Sequence, residues 1–141
     1  ELFDVITCIS VLEHIGMDNT LLYSDNSQYK EAASHDYRQV LKEFYRLLKP
    51  NGRLLLTMPF GRYENHGWLQ QFNQDLVQDV MNTFNPTESH LAYYKYSPHG
   101  WNISSAEACA ECSYHDVHSD PHVPEDYAAA ARAVVCIELT K

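Results

Sequence analysis

Basic charge, closely spaced glycine and long apolar runs are all scarce in this chain. Ten Lys and Arg stand against 19 Asp and Glu, a formal net charge of −9 over 141 residues. That balance argues against a surface for nucleic acid or an anionic membrane, both of which call for clustered cations. The basic residues gather only weakly, at Lys42, Arg46, Lys49 and Arg53. No apolar run approaches the roughly 18 residues of a transmembrane helix, and no signal peptide is visible. The five glycines, Gly16, Gly52, Gly61, Gly67 and Gly100, are too far apart to build a glycine-rich ligand-binding turn. Cysteine is limited to four, and Cys8 and Cys136 lie within apolar strand-like runs. Nothing resembles the disulfide framework of a small secreted domain, so a cytoplasmic, reducing location is expected.

What is present begins with Phe3-Asp4-Val5-Ile6-Thr7-Cys8-Ile9-Ser10-Val11-Leu12-Glu13-His14-Ile15. Six of the seven residues from Val5 to Val11 are β-branched or Cys, which suits a strand covered on both faces. The spacing predicts a first strand over residues 2–10. Open α/β sheets place ligand sites just past the carboxyl ends of such strands, where Glu13 and His14 stand.

Residues 16–34 are polar and read as a long loop, of a length that suggests a lid or binding segment. Tyr37, Val40, Leu41, Phe44, Leu47 and Leu48 recur at helical spacing and predict a helix over 36–48, with Asp36 and Gln39 as a capping box. Pro50 and Gly52 end it, and residues 53–58 read as a second buried strand. Strand, helix, strand in this order is a βαβ unit with parallel strands. Residues 73–84 read as a second helix, with Asn73 as N-cap and Phe72 and Val77 as a hydrophobic staple. A third strand is expected over 91–96, a short helix over 104–112, an irregular segment over 113–125 and a final strand over 133–139, antiparallel to its predecessor. His-Gly-Trp occurs at His66-Gly67-Trp68 and His99-Gly100-Trp101, reading as two loops that turn at glycine and present tryptophan.

Phe3-Asp4-Val5-Ile6 leading to Val11-Leu12-Glu13-His14-Ile15, followed by Leu41-Lys42-Glu43-Phe44-Tyr45-Arg46-Leu47-Leu48-Lys49-Pro50-Asn51-Gly52-Arg53-Leu54-Leu55-Leu56, resembles the C-terminal half of a class I S-adenosylmethionine-dependent methyltransferase. In that family the first stretch is the fourth strand and its loop; the second is the next helix, a Lys-Pro-x-Gly turn and the fifth strand. The resemblance implies an α/β fold with a partial Rossmann-like methyltransferase sheet. A parallel βαβ unit is followed by a helix and an antiparallel C-terminal strand pair, in a single partial domain over 1–141. It also implies S-adenosylmethionine as cofactor and methyl transfer to a small-molecule acceptor, with a sugar hydroxyl put forward. The family's glycine-rich turn and the acidic residue that binds ribose have no counterpart here. The chain is therefore expected to be a fragment.

By position in the matched motif, the backbone of Ile9, Ser10 and Val11 would lie under the methionine end of the cofactor. His14 is the candidate base, because imidazole exchanges protons near neutral pH. Glu13, its neighbour on the turn, would point away from that ring and bind a substrate hydroxyl or fix the loop. Phe60, Arg62, Tyr63, His66 and Trp68 follow the second strand and offer aromatic faces beside polar groups, which suits a polyhydroxylated acceptor; the plainer reading makes Trp68 and Trp101 core or rim anchors. Two other functions stay open. Cys109, Cys112, His115 and His118, with Asp116, Asp120 and His122 nearby, have the residue types of a zinc site. Ligands packed this closely in sequence have difficulty surrounding one ion, and no metal is assigned. Alternatively the chain is a non-catalytic interaction module: without the family's first half, the first strand becomes an apolar edge at which self-association or a partner is expected.

Overall fold

The computed structural model describes residues 1–24, 26–122, 124–125 and 130–141. Asp25, within the expected 16–34 loop, and Val123, within the expected irregular segment, lie outside the described residues. The chain opens with β1 (Phe3–Ile9), a turn of 3-10 helix at Leu12–His14 and a one-turn helix α1 (Thr20–Tyr23). A second 3-10 turn at Ser27–Tyr29 precedes α2 (Tyr37–Leu47), which runs directly into β2 (Leu48–Pro59). A small hairpin of β3 (Glu64–Asn65) and β4 (Gln70–Gln71) leads to α3 (Gln74–Phe84). Then follow β5 (Glu88–Ser97), β6 (Gly100–Ser104), the single turn α4 (Ala106–Cys109), β7 (Tyr114–His115), β8 (Ala130–Ala131) and β9 (Ala133–Thr140).

The main sheet has the order β1-β2-β9-β5-β6. β1 and β2 are parallel and the remaining pairs antiparallel. This is the expected α/β arrangement of a βαβ unit, a helix and antiparallel strands. Alternate residues decide which face is covered. Leu54, Leu56 and Met58 of β2 and Val135, Ile137 and Leu139 of β9 are at most 2% exposed. They pack in one cluster with Tyr37 and Leu41 of α2 and Val77, Val80 and Phe84 of α3. Asn73 caps α3 as expected, its side chain accepting from the Leu76 N–H at 3.0 Å. Among the described residues no helix is long and apolar enough to cross a membrane.

Several expectations need correcting. β1 is not covered on both faces: Phe3, Val5 and Ile9 are 45%, 40% and 54% exposed. It is the sheet's terminal strand, and the helices pack on the face that carries Cys8. Asp36 makes no capping-box bond, because its backbone is already helical (φ −64°, ψ −19°) and its N–H donates to Ala33 O. The helix expected over 104–112 shrinks to α4, capped by Ser105. Its predecessor β6 escaped notice because Trp101, Asn102 and Ile103 are exposed, which leaves no apolar alternation to read. Both His-Gly-Trp glycines do turn the chain, at φ +83° for Gly67 and +106° for Gly100.

The long loop is closed at its base. Ala33 N–H donates to Gly16 O at 2.9 Å, and Gly16 N–H donates to Glu31 Oε2 at 3.2 Å. Gly16 has φ +75°, and a Cβ there would lie 2.0 Å from Ala33 O. Asp18 N–H, donating to Gly67 O at 2.9 Å, ties the loop to the turn that presents Trp68. Gly16→Ala is therefore expected to lower unfolding free energy by about 2 kcal/mol or more in urea titration, and to speed proteolysis within 17–32.

Candidate functional site

At the carboxyl end of β1 the backbone reverses sharply. Ser10 adopts φ +50°, a left-handed conformation unusual for a residue with a Cβ. Its N–H donates to Thr57 O at 3.0 Å, with Thr57 Oγ1 at 3.2 Å. Fully buried Leu12 then anchors the 3-10 turn. On so tight a turn adjacent side chains diverge, and Glu13 points inward while His14 is only half-buried.

His14 is locked from one side. Its Nδ1 lies 3.1 Å from Trp68 O, and a carbonyl only accepts, so Nδ1 carries the proton. The imidazole also stacks on the Trp68 ring, with centroids 5.2 Å apart and planes at 29°. The neutral ring is left with its lone pair on Nε2. His14 lines an open cleft of about 470 Å³ together with Ser10, Val11, Asn19, Tyr23 and Glu31.

Trp68 is itself held by the segment that the sequence offered only as a zinc alternative. Its indole N–H donates to Asp116 Oδ1 at 3.3 Å, and the rings of His118 and Tyr114 meet it edge-on at 5.0 and 6.3 Å. Asp116 Oδ1 also accepts from the His118 N–H at 3.0 Å, and Oδ2 lies 3.6 Å from His66 Nδ1. His66 Nε2 is 3.1 Å from Glu64 Oε2, which also accepts from Tyr114 N–H at 2.9 Å. Glu64 Oε1 pairs with Arg62 Nε at 2.7 Å. Burial works against ionising Asp116, but bonds from His118 N–H, the Trp68 indole and Ser119 outweigh it and hold the carboxyl below its ordinary range. Glu64 is likewise held low, with Arg62, Tyr114 N–H and His66 outweighing its burial.

Glu13 behaves in the opposite way. It is 2% exposed, and its Oε2 has no hydrogen-bond partner among the described residues. Burial pushes its carboxyl up to about 7. Cys8 is pushed up to about 11 and Tyr114 to about 12, each mainly by burial and in part by the charge of Glu13.

The residues singled out from the sequence are divided by the fold. Ser10, Val11 and His14 share the 470 Å³ cleft. Ile9 opens instead onto the uncovered sheet face, beside Leu55, Ala92 and Cys136. The Phe60 side chain is fully buried, with its ring 4.8 Å from that of Tyr93. Arg62 and Tyr63 line a separate cleft of about 410 Å³ beside the start of α3. His66 and Trp68 join the His14 side through Asp116. The zinc alternative finds no gathered ligands: Cys109 and Cys112 are buried in the apolar cluster, and Asp116 serves Trp68. Among the described residues no group of three or more His, Cys, Asp or Glu is placed to hold a metal. Sequence reasoning missed the structural roles of Glu64, Tyr114, Asp116 and His118. The one available signal was Trp68 itself, since a half-buried indole N–H requires an acceptor.

A family described as methyltransferase domain matches residues 1–95. The chain belongs to this family. No curated protein matches the sequence. The match runs from β1 into β5 and includes the whole lining of the His14 cleft; the Tyr114–His118 segment that braces Trp68 lies beyond it. Methyltransferase domains of this kind generally use S-adenosylmethionine. The cleft lies within the roughly 300–1,000 Å³ of small-molecule sites, and Ser10 and Val11 border it.

The raised carboxyl of Glu13 makes stability depend on pH with a definite sign. Above its ordinary value of 4.5 the unfolded chain loses the Glu13 proton, while the folded domain keeps it until about 7. Stability from this group is full below 4.5, falls as pH rises to about 7 and stays low above it, a loss on the order of 3 kcal/mol. Glu13→Gln should remove that fall, so urea titrations at pH 5 and 8 should differ less for the variant than for the parent chain.

Proposed function

We propose that this methyltransferase domain methylates a hydroxyl of a small polyhydroxylated acceptor, such as a sugar, with His14 as the proton acceptor. The observation that carries this reading is the commitment of His14 Nδ1 to the Trp68 carbonyl, which leaves Nε2 as the basic atom of a residue lining the cleft. S-adenosylmethionine, when bound, supplies an activated methyl group; the backbone of Ser10 and Val11 would border its methionine end. The residues of this chain then have two tasks. They would hold the acceptor hydroxyl toward the cofactor's methyl end, and His14 Nε2 would accept its proton. Asn19, Glu31 and the exposed ring of Tyr23 surround the same cleft with polar groups and one aromatic face, a mixture suited to a sugar. Trp68 supports His14 in this reading. Arg62 and Tyr63 face the other cleft and carry no role in it. The free thiols of Cys8, Cys109, Cys112 and Cys136 suit the reducing cytoplasm as the place of action.

A second reading is favoured by β1. Its outer edge is unpaired in the main sheet, and Phe3, Val5 and Ile9 are exposed. The occupant proposed is a second copy of this chain. Antiparallel pairing about Ile6 would set Phe3 against Ile9 and Val5 against Thr7, and would keep the two Asp4 carboxylates from facing each other. Asp4 is already neutralised by Lys49 at 2.9 Å.

Calorimetric titration with S-adenosylmethionine should show weak binding that Val11→Trp abolishes. In a labelled-methyl assay over a panel of sugars, His14→Gln should lower transfer by roughly 10²–10⁴-fold. Equal rates for parent and variant would remove His14 from the chemistry. Light scattering should report a dimer at high concentration that Val5→Lys converts to monomer, and a monomeric parent chain would exclude the pairing.

A further inference from the structure

The segment beyond the family match does more than cover the site. Its base is fixed at Cys112, whose carbonyl accepts from Arg62 N–H at 3.1 Å and from Gln71 Nε2 at 2.9 Å. The chain passes so close that a Cβ on Gly61 would lie 2.0 Å from Cys112 O. The strand pair β7–β8 continues the segment. At its far end Asp116 O accepts from the N–H groups of Ser119 and Asp120, at 3.2 and 2.9 Å, and from Ser119 Oγ at 3.2 Å. Asp116 is thus delivered to Trp68 by backbone anchored on both sides.

We propose that Asp116 is a positioning residue for His14, acting through Trp68: it fixes the indole, and the indole and its carbonyl fix the plane and tautomer of the imidazole. The inference rests on the reading of His14 as proton acceptor. Three contacts link Asp116 to His14. The Asp116 carboxylate, 8% exposed, accepts the indole N–H and so sets the rotation of Trp68 about its side-chain bonds. The indole face then sets the plane of His14 by stacking, and the carbonyl of the same residue takes the Nδ1 proton. His118 closes the edge of the indole, and its N–H shares the same carboxylate oxygen. Without the carboxylate, a half-buried indole N–H loses its acceptor, the ring is free to turn, and both constraints on His14 relax together. The ionisable groups that face Asp116 are His66 at Oδ2 and, one step on, Glu64 and Arg62. A change at Asp116 therefore reaches the ion pairs of the hairpin as well.

The test requires no acceptor. Long-range nitrogen–proton correlation spectra of the ¹⁵N-labelled chain report the tautomer of each histidine ring. At pH 8 the parent chain should show His14 with its proton on Nδ1 alone. Asp116→Ala should lose that single-tautomer signature, and Trp68→Phe, which keeps the carbonyl but not the indole N–H, should lose it too. Asp116→Asn, which restores a neutral acceptor, should recover it. The chain has two tryptophans, Trp68 and Trp101, so Trp101→Phe assigns the Trp68 indole N–H, whose resonance should shift in Asp116→Ala. A folded Asp116→Ala or Trp68→Phe variant with an unchanged His14 tautomer would overturn the proposal. Should Asp116→Ala not fold, Trp68→Phe and Asp116→Asn decide it alone. A parent chain in which His14 is not protonated at Nδ1 would sink the reading of His14 as an Nε2 base, whatever Asp116 does.

Discussion

The burial of alternate residues along β2 is the constraint on which the rest of this domain depends. Leu54, Leu56 and Met58 point into the helices, and each contributes roughly 2 kcal/mol by leaving water. The same strand pairs in parallel with β1 and antiparallel with β9, so its register sets where both neighbours end. Ile9 stands opposite Thr57, and the next residue, Ser10, turns into the left-handed region while donating to that threonine's carbonyl. The location of the cleft is thus a consequence of core packing two strands deep. β2 also tolerates an interruption: the register with β1 jumps from Phe3–Leu48 to Val5–Arg53, and Asn51 in the extra loop has φ +62°.

From that end of the sheet a chain of polar contacts extends away from the cleft: His14 to Trp68, Trp68 to Asp116, Asp116 to His66, His66 to Glu64, Glu64 to Arg62. Its two carboxylates are held ionised by donors despite partial burial. Glu13, the residue before His14, has a single backbone donor that does not offset its burial, and it is pushed the other way. The two kinds of acid sit side by side, told apart by hydrogen bonding and not by depth alone. A turn that sends Glu13 inward and His14 outward separates a buried carboxyl whose ionisation costs stability from an imidazole that lines the cleft.

Legibility in the sequence followed the strength of periodic signals. α2 and α3 were readable within a residue or two because their apolar positions repeat at helical spacing over three turns. β1, β2, β5 and β9 were readable as apolar runs. β6 was not, since its side chains face solvent, and β3, β4, β7 and β8 are two residues long and leave no pattern. At the site, His14 was found through a motif of adjacent residues. Asp116 was noticed only as an oxygen donor near two cysteines, because its true partner lies 48 positions away.

By itself the sequence determined the α/β class, the βαβ unit, the methyltransferase resemblance and the position of Glu13 and His14 past the first strand. These depend on local propensity and on apolar periodicity, which are written in neighbouring residues. Only the tertiary structure decided that Phe60 belongs to the core, that Ile9 opens onto the uncovered sheet face, that Arg62 and Tyr63 line a cleft apart from His14, and that Asp116 meets the Trp68 indole. Those outcomes depend on which distant segments meet across the sheet. Long-range packing sets those meetings, and no spacing along the chain records them.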